Sequence, residues 1–219
     1  MELIVATGNR GKLKEIRAVL DGLNVSVQSV ADYLPGFDPE ETGETFLDNA
    51  VLKALTAFER VGKGVVADDS GLCVVGLGLE PGVRSARYAG EDADDDGRMD
   101  FLLKKMENMK GEERVAWFAC RLVAILPLKG ADLIEGVEFV EGPNLPAPFV
   151  AVTTEGRLMG RIGYEKRGEH GFGYDPVFLP DPFPGVSLAE VPLADKNKVS
   201  HRGVAFRRFR EFLESTRLP

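Results

Sequence analysis

Cysteine and histidine are scarce, with two of each among 219 residues. Cys73 and Cys120 lie in strand-like apolar segments without a C-x-x-C spacing, so buried thiols are expected in place of a zinc or redox centre. No apolar run approaches the roughly 20 residues of a membrane span. The chain also opens into a strand without the basic, apolar and small-residue order of a signal peptide. A cytoplasmic protein with no membrane partner is the expectation. Positive charge is the minority sign: 27 Lys and Arg stand against 35 Asp and Glu, a net −8. That balance disfavours long nucleic acid, whose binding depends on counterion release to a broad basic face. It still admits a small anionic ligand gripped by a few local cations. The run EDADDD (residues 91–96) invites a metal reading, but six successive positions cannot all face one ion. A solvated loop leading into the helix around Met99, Leu102, Leu103 and Met106 is expected there.

What is present is ordinary for a folded enzyme: 44% hydrophobic and 28% charged residues exclude a disordered chain. Strand signals fall near residues 2–6, 24–28, 64–68, 72–75, 114–126, 133–140, 148–162 and 176–179, and helical spacing at 11–21, 45–60, 97–109 and 201–214. Strands and helices alternate early, a β-rich stretch follows, and one helix closes the chain. That order predicts an α/β fold with a long central mixed sheet flanked by helices. The run RVAWFACRLVAIL (114–126) is apolar at nearly every position, which predicts a central strand covered on both faces. EGPNLPAPF (141–149) reads as a loop or bulge within the β region, since no composition shift marks a boundary. The expected organisation is one domain over residues 1–219, with two lobes and an active-site cleft between them.

Five stretches carry chemistry. VATGNRGKLKE (5–15) reads as strand, turn and helix, a geometry that suits an anion at the helix N-terminus. It is not a P-loop, because Gly8 and Gly11 are too close and Leu13 stands where Ser or Thr would hold magnesium. An ordinary βα turn and a nucleotide loop both remain open from this stretch alone. In EETGETFLDNAVLKA (40–54), Phe46, Ala50, Ala54 and Phe58 form one helical face, while Asn49 and Lys53 share another. Lys53 there either reaches an anion or lies in solvent. VVADDSGL (65–72) places Asp68 and Asp69 at the C-terminal edge of a strand, with hard oxygen ligands that suit Mg²⁺. A turn in which Asp69 and Ser70 bond only backbone is the alternative. HGFGYDP (170–176) flanks Phe172 with glycines that would free its ring to stack on a base, or else to be buried in a turn. In ADKNKVSHRGVAFRRF (194–209), Ser200 is a candidate N-cap that sets His201 and Arg202 in the first turn of a helix with Ala205, Phe209 and Phe212 on its apolar face. Cations there oppose the helix dipole, so either a carbonyl-rich or anionic ligand or plain solvation balances them.

In order, TGN-x-x-K, EETG-x-TF-x-x-NA-x-x-KA, ADDSGL, SARYAGE, GFGYDP and SHR resemble the inosine triphosphate pyrophosphatase family from Leu3 to about Phe212. The resemblance implies Mg²⁺-dependent hydrolysis of ITP, dITP and XTP to the monophosphate and pyrophosphate, by a homodimer. It implies that Asp69 serves as base and metal partner and that Glu41 is a second carboxylate for the metal, with Glu40 its nearest rival and Asp68 assisting. Phosphate contacts fall to Thr7, Gly8, Asn9, Arg10, Gly11 and Lys12, and to Lys53 and Lys196. Arg202 and His201 would aim donors at the 6-oxo group of the base, Phe172 would stack on the purine, and Ser70, Gly173, Tyr174 and Asp175 would complete the wall. A pocket of donors rejects a 6-amino base because donors would then face donors. The sequence departs from the family pattern at Glu165-Lys166-Arg167-Gly168, between Phe178 and Lys196, and over residues 127–148. The same reaction on a pyrimidine or modified nucleotide, and a nucleotide sensor without turnover, are the competing readings. The set of Glu41, Asp69, Lys53 and Lys196 counts against the sensor.

Overall fold

A computed structural model describes residues 1–128 and 134–216, save the side chain of Arg10. In chain order the elements are β1 (Glu2–Val5), α1 (Arg10–Leu20), β2 (Ser26–Ser29), α2 (Phe46–Val61), β3 (Gly64–Val74), α3 (Asp95–Lys105), β4 (Val115–Pro127), β5 (Val137–Phe139), β6 (Phe149–Ile162), β7 (Phe178–Pro180), α4 (Leu193–Val199) and α5 (His201–Ser215). The strands form one sheet in the order β2-β1-β3-β4-β6-β5, with β7 also pairing β6. It is mixed, as expected: β1 runs parallel to β2 and β3, while β5 and β7 run antiparallel to β6. Leu133, at the start of the expected strand 133–140, lies outside the described residues.

The chain divides into two compact units, Met1–Asp69 with Cys120–Gly156 and Gly203–Pro219, and Ser70–Ala119 with Arg157–Arg202. In the first unit, period-two alternation sorts each strand's side chains onto two faces. Leu3, Val5, Val66, Leu122 and Ala124 pack with Ile16 and Leu20 of α1 and with Phe206, Phe209 and Phe212 of α5. Ile4, Val65, Ala67, Val123 and Ile125 pack with Ala50, Ala54, Ala57 and Phe58 of α2. Three alanines at that contact let the α2 backbone lie close to the sheet. Helix α2 starts where Thr45 and Asp48 form a reciprocal capping box and stops at Gly62, whose φ of 62° suits glycine. In the second unit, Leu72, Val74, Phe118, Leu158 and Phe178 pack against Met99 and Leu102 of α3 and Met106 just after it.

The structure corrects two expectations. Residues 64–68 and 72–75 are not separate strands with the acidic pair at an edge. Strand β3 continues through Asp68, Asp69 and Ser70, with both aspartates buried in mid-strand, because facing lysines compensate their charge. Nor is β4 covered on both faces throughout. It is buried from Ala119 to Leu126 apart from Arg121, but Val115 and Trp117 stay half-exposed, matching the exposed Arg157, Met159 and Arg161 that alternate along the second half of β6. Helix α4 was not expected from spacing, since seven residues are too few to show a periodic face.

Candidate active site

In the first unit, the expected site residues of α1, α2 and β3 converge. Lys53, one turn after Asn49 on α2, is buried, and its Nζ lies 2.8 Å from Glu41 Oε1 and 2.9 Å from Asp69 Oδ1. Lys12 Nζ lies 2.8 Å from Asp68 Oδ2. The lysines and carboxylates thus form two neighbouring ion-paired groups, Lys53 with Glu41 and Asp69, and Lys12 with Asp68. Glu41 takes part and is half-buried, whereas Glu40 is exposed, so the geometry separates the two neighbours. Burial raises the Asp69 carboxyl above its ordinary range, with Lys53 opposing that rise. For Lys53, burial by itself would lower the ammonium, but Asp69, Asp68 and Glu41 together hold it above its ordinary value.

The loop before α1 behaves differently from the simple anion nest that its sequence suggests. Asn9 N donates to Thr7 Oγ1 at 3.1 Å, and Gly11 N and Lys12 N donate to Asn9 Oδ1 at 2.8 and 3.1 Å. Asn9 is therefore the N-cap, and side-chain acceptors already take three of the loop's N–H groups. Gly8 and Asn9 are exposed and Thr7 is half-buried beside them. The side chain of Arg10 lies outside the described part of the structure.

The second unit gathers the residues expected around a base. The turn at 171–173 needs its glycines: Gly171 has φ 87° and Gly173 φ 64°, and a Cβ on Gly171 would lie 2.0 Å from Asp175 Oδ2. That carboxylate accepts from Phe172 N at 3.0 Å and from Lys196 Nζ at 2.6 Å. Burial raises the Asp175 carboxyl, with Lys196 opposing. The Phe172 ring is partly exposed, with Lys196 Nζ 5.0 Å and the Arg202 guanidinium 5.4 Å from its centroid. Such contacts hold the ring electrostatically through its π-face. His201 is buried and stacks on Phe118, ring centroids 4.9 Å apart. Tyr174 is less a wall than a core residue: its ring is buried, and its hydroxyl donates to the Ser85 carbonyl at 2.9 Å. Lys196, expected among the phosphate contacts, is ion-paired with Asp175 instead. Ser70 is half-buried on β3.

Glu41 and Asp69 also pass a test of fit for a divalent cation. Their oxygens already converge on a single cation, the Lys53 ammonium, and they are hard ligands of the kind Mg²⁺ takes one or two of. Among the described residues, no three His, Cys, Asp or Glu side chains cluster as a metal site. The donor set therefore suits an ion that completes its shell with water and ligand oxygens.

Residues 3–212 match the sequence model of the Ham1 family. The chain belongs to the Ham1 family. Among its Ham1 relatives, the dITP/XTP pyrophosphatase of Bacillus licheniformis is 42% identical, over 97% of this chain and 98% of that one. The protein of the same name from Haemophilus influenzae is 41% identical, over 93% and 94% of the two chains. The solved Ham1 structures agree with the fold. That from Coxiella burnetii superposes with a TM-score of 0.80 at 34% identity, and that from Staphylococcus aureus with 0.79 at 34%, each covering 98% of both chains. The resemblance drawn from the six motifs is borne out.

Two contributors within this Ham1 chain were missed in the sequence. Asn49 is wholly buried and donates to Asp69 Oδ2 at 3.3 Å; its i, i+4 spacing from Lys53 was the available signal. Asp95, from the acidic run, accepts from Gly173 N at 2.7 Å and also pairs with Arg98. The run divides its work, because Asp94 caps α3 through Gly97 N and Asp96 pairs with Lys166. A row of like charges gives no local sign of which member turns inward.

Proposed function

We propose that this chain hydrolyses dITP, ITP and XTP to the nucleoside monophosphate and pyrophosphate, with residues 1–219 acting as one functional domain. The observation that carries the reading is the buried cluster in which Lys53 bridges Glu41 and Asp69. A binding module has no need of a buried carboxylate whose proton affinity is raised, whereas a general base gains from it. In this reading Asp69 takes the proton of the water that attacks the α-phosphorus. Lys12 and Lys53 exchange their carboxylate partners for phosphate oxygens and carry positive charge to the departing pyrophosphate. Glu41 and Asp69 would hold Mg²⁺, which supplies charge neutralisation of the phosphates and a lowered pKa for bound water. Phe172 stacks on the purine, and Arg202 and His201 offer donors to the 6-oxo group. The relatives named dITP/XTP pyrophosphatase support the substrate class. A homodimer, which rests on the family resemblance, and a cytoplasmic location belong to the same proposal.

The test is pyrophosphate release from inosine, xanthosine, adenosine, guanosine and pyrimidine triphosphates, with Mg²⁺ and with chelator. Expected is metal-dependent release with kcat/KM for ITP and XTP about 100-fold or more above ATP and GTP, while Asp69→Asn loses on the order of 1000-fold in kcat yet still binds nucleotide. Release only from other bases would overturn the purine assignment, and none at all would overturn catalysis.

A further inference from the structure

Asn49 is 0% exposed, and both ends of its amide are committed. Its Oδ1 accepts from Gly43 N at 2.8 Å, and its Nδ2 donates to Asp69 Oδ2 at 3.3 Å. The first bond ties down the loop two residues after Glu41. The second holds the carboxylate oxygen of Asp69 that Lys53 does not take. One side chain on α2 therefore fixes the loop that carries one acid and the rotamer of the other. Gly43 is part of the device, since a Cβ there would meet Asn49 Oδ1 and Asp48 Cβ at 2.6 Å each. The loop is closed further by the capping box, with Thr45 N donating to Asp48 Oδ2 at 3.0 Å and Asp48 N to Thr45 Oγ1 at 3.1 Å. Those two bonds complete the helix start by themselves. The reach of Asn49 to β3 goes beyond what a helix start requires.

We infer that Asn49 is the positioning residue of this site: through Gly43 and Asp69 it makes the Glu41 and Asp69 carboxylates converge on one cation. The inference rests on the Glu41 and Asp69 assignment of the proposed function. Its primary test uses no turnover: Mn²⁺, a paramagnetic substitute for Mg²⁺, is titrated into the full chain without nucleotide, and binding is read by electron paramagnetic resonance. Asn49→Leu, with the same number of side-chain heavy atoms and unable to make either bond, is expected to weaken Mn²⁺ binding on the order of tenfold or more, the scale seen when a partner that orients a ligand is removed. In turnover, kcat should fall by about 10- to 100-fold with KM within about threefold, because the loss lies in alignment and not in nucleotide contacts. Gly43→Ala, which pushes the amide aside from the loop, should give the same pattern. Asn49→Ser is the replacement if Asn49→Leu does not fold. Mn²⁺ affinity within about twofold of wild type in Gly43→Ala and in the folded Asn49 variant would overturn the inference. An inactive wild-type chain whose Mn²⁺ binding still depends on Asn49 would sink the proposed reaction and leave this inference standing.

Discussion

At the residue scale the site is governed by competition between burial and charge. Asp69 is pushed up by desolvation and pulled down by Lys53. In its proposed role as general base Asp69 works only when ionised, so kcat/KM should fall as pH drops through a value above the ordinary aspartate range. Lys53→Met removes the lowering influence and leaves the desolvation. Its acidic limb should therefore lie at higher pH than that of the wild type, in addition to any overall loss of rate. The measurement is kcat/KM against pH for both proteins; a limb that stays in place or moves to lower pH would remove Lys53 from control of Asp69. The same competition explains why Lys196 is found on Asp175. A buried carboxylate within 2.6 Å of an ammonium is retained because either charge left alone would cost far more than the pair.

At the scale of elements, α2 does the most, since its alanine face packs on the sheet and its Asn49 and Lys53 face holds Asp69 by a hydrogen bond and an ion pair. Its N-terminus is set by Thr45. Thr45→Ala should cost about 1 kcal/mol of stability, measured by urea unfolding, and the cost should exceed that of Thr42→Ala, an exposed position in the same loop. Equal effects would mean that the capping box contributes nothing. Strand β3 shows the complementary principle. Extended backbone alternates side chains, so the adjacent Asp68 and Asp69 point to opposite faces and find different partners, Lys12 of α1 and Lys53 of α2.

At the scale of the whole molecule, two compact units each have a core of their own, yet β3, β4 and β6 run on from one into the other. That continuity predicts a single cooperative unfolding transition. Phe209→Ala in the first unit and Phe178→Ala in the second each remove a fully buried ring and should each lower that one transition, by about 3–5 kcal/mol. Calorimetry that resolved two transitions, each moved by only one of the substitutions, would refute it.

By itself the sequence determined most of the order of elements, the mixed sheet flanked by helices, the helical spacing over residues 45–60, and the six motifs that fix the family. These rest on spacings of two, three and four residues, which backbone geometry converts directly into faces. Only the tertiary structure decided that Glu41 and not Glu40 meets Lys53, that ADDSG stays extended in mid-strand, that Asn9 caps its own loop, and that Asn49 reaches Asp69. Most of these depend on groups far apart in the chain, as with Lys12 and Asp68, 56 positions apart. Such pairings form only when the sheet brings their elements together, because a charge or an amide has no local signal for the partner that will satisfy it.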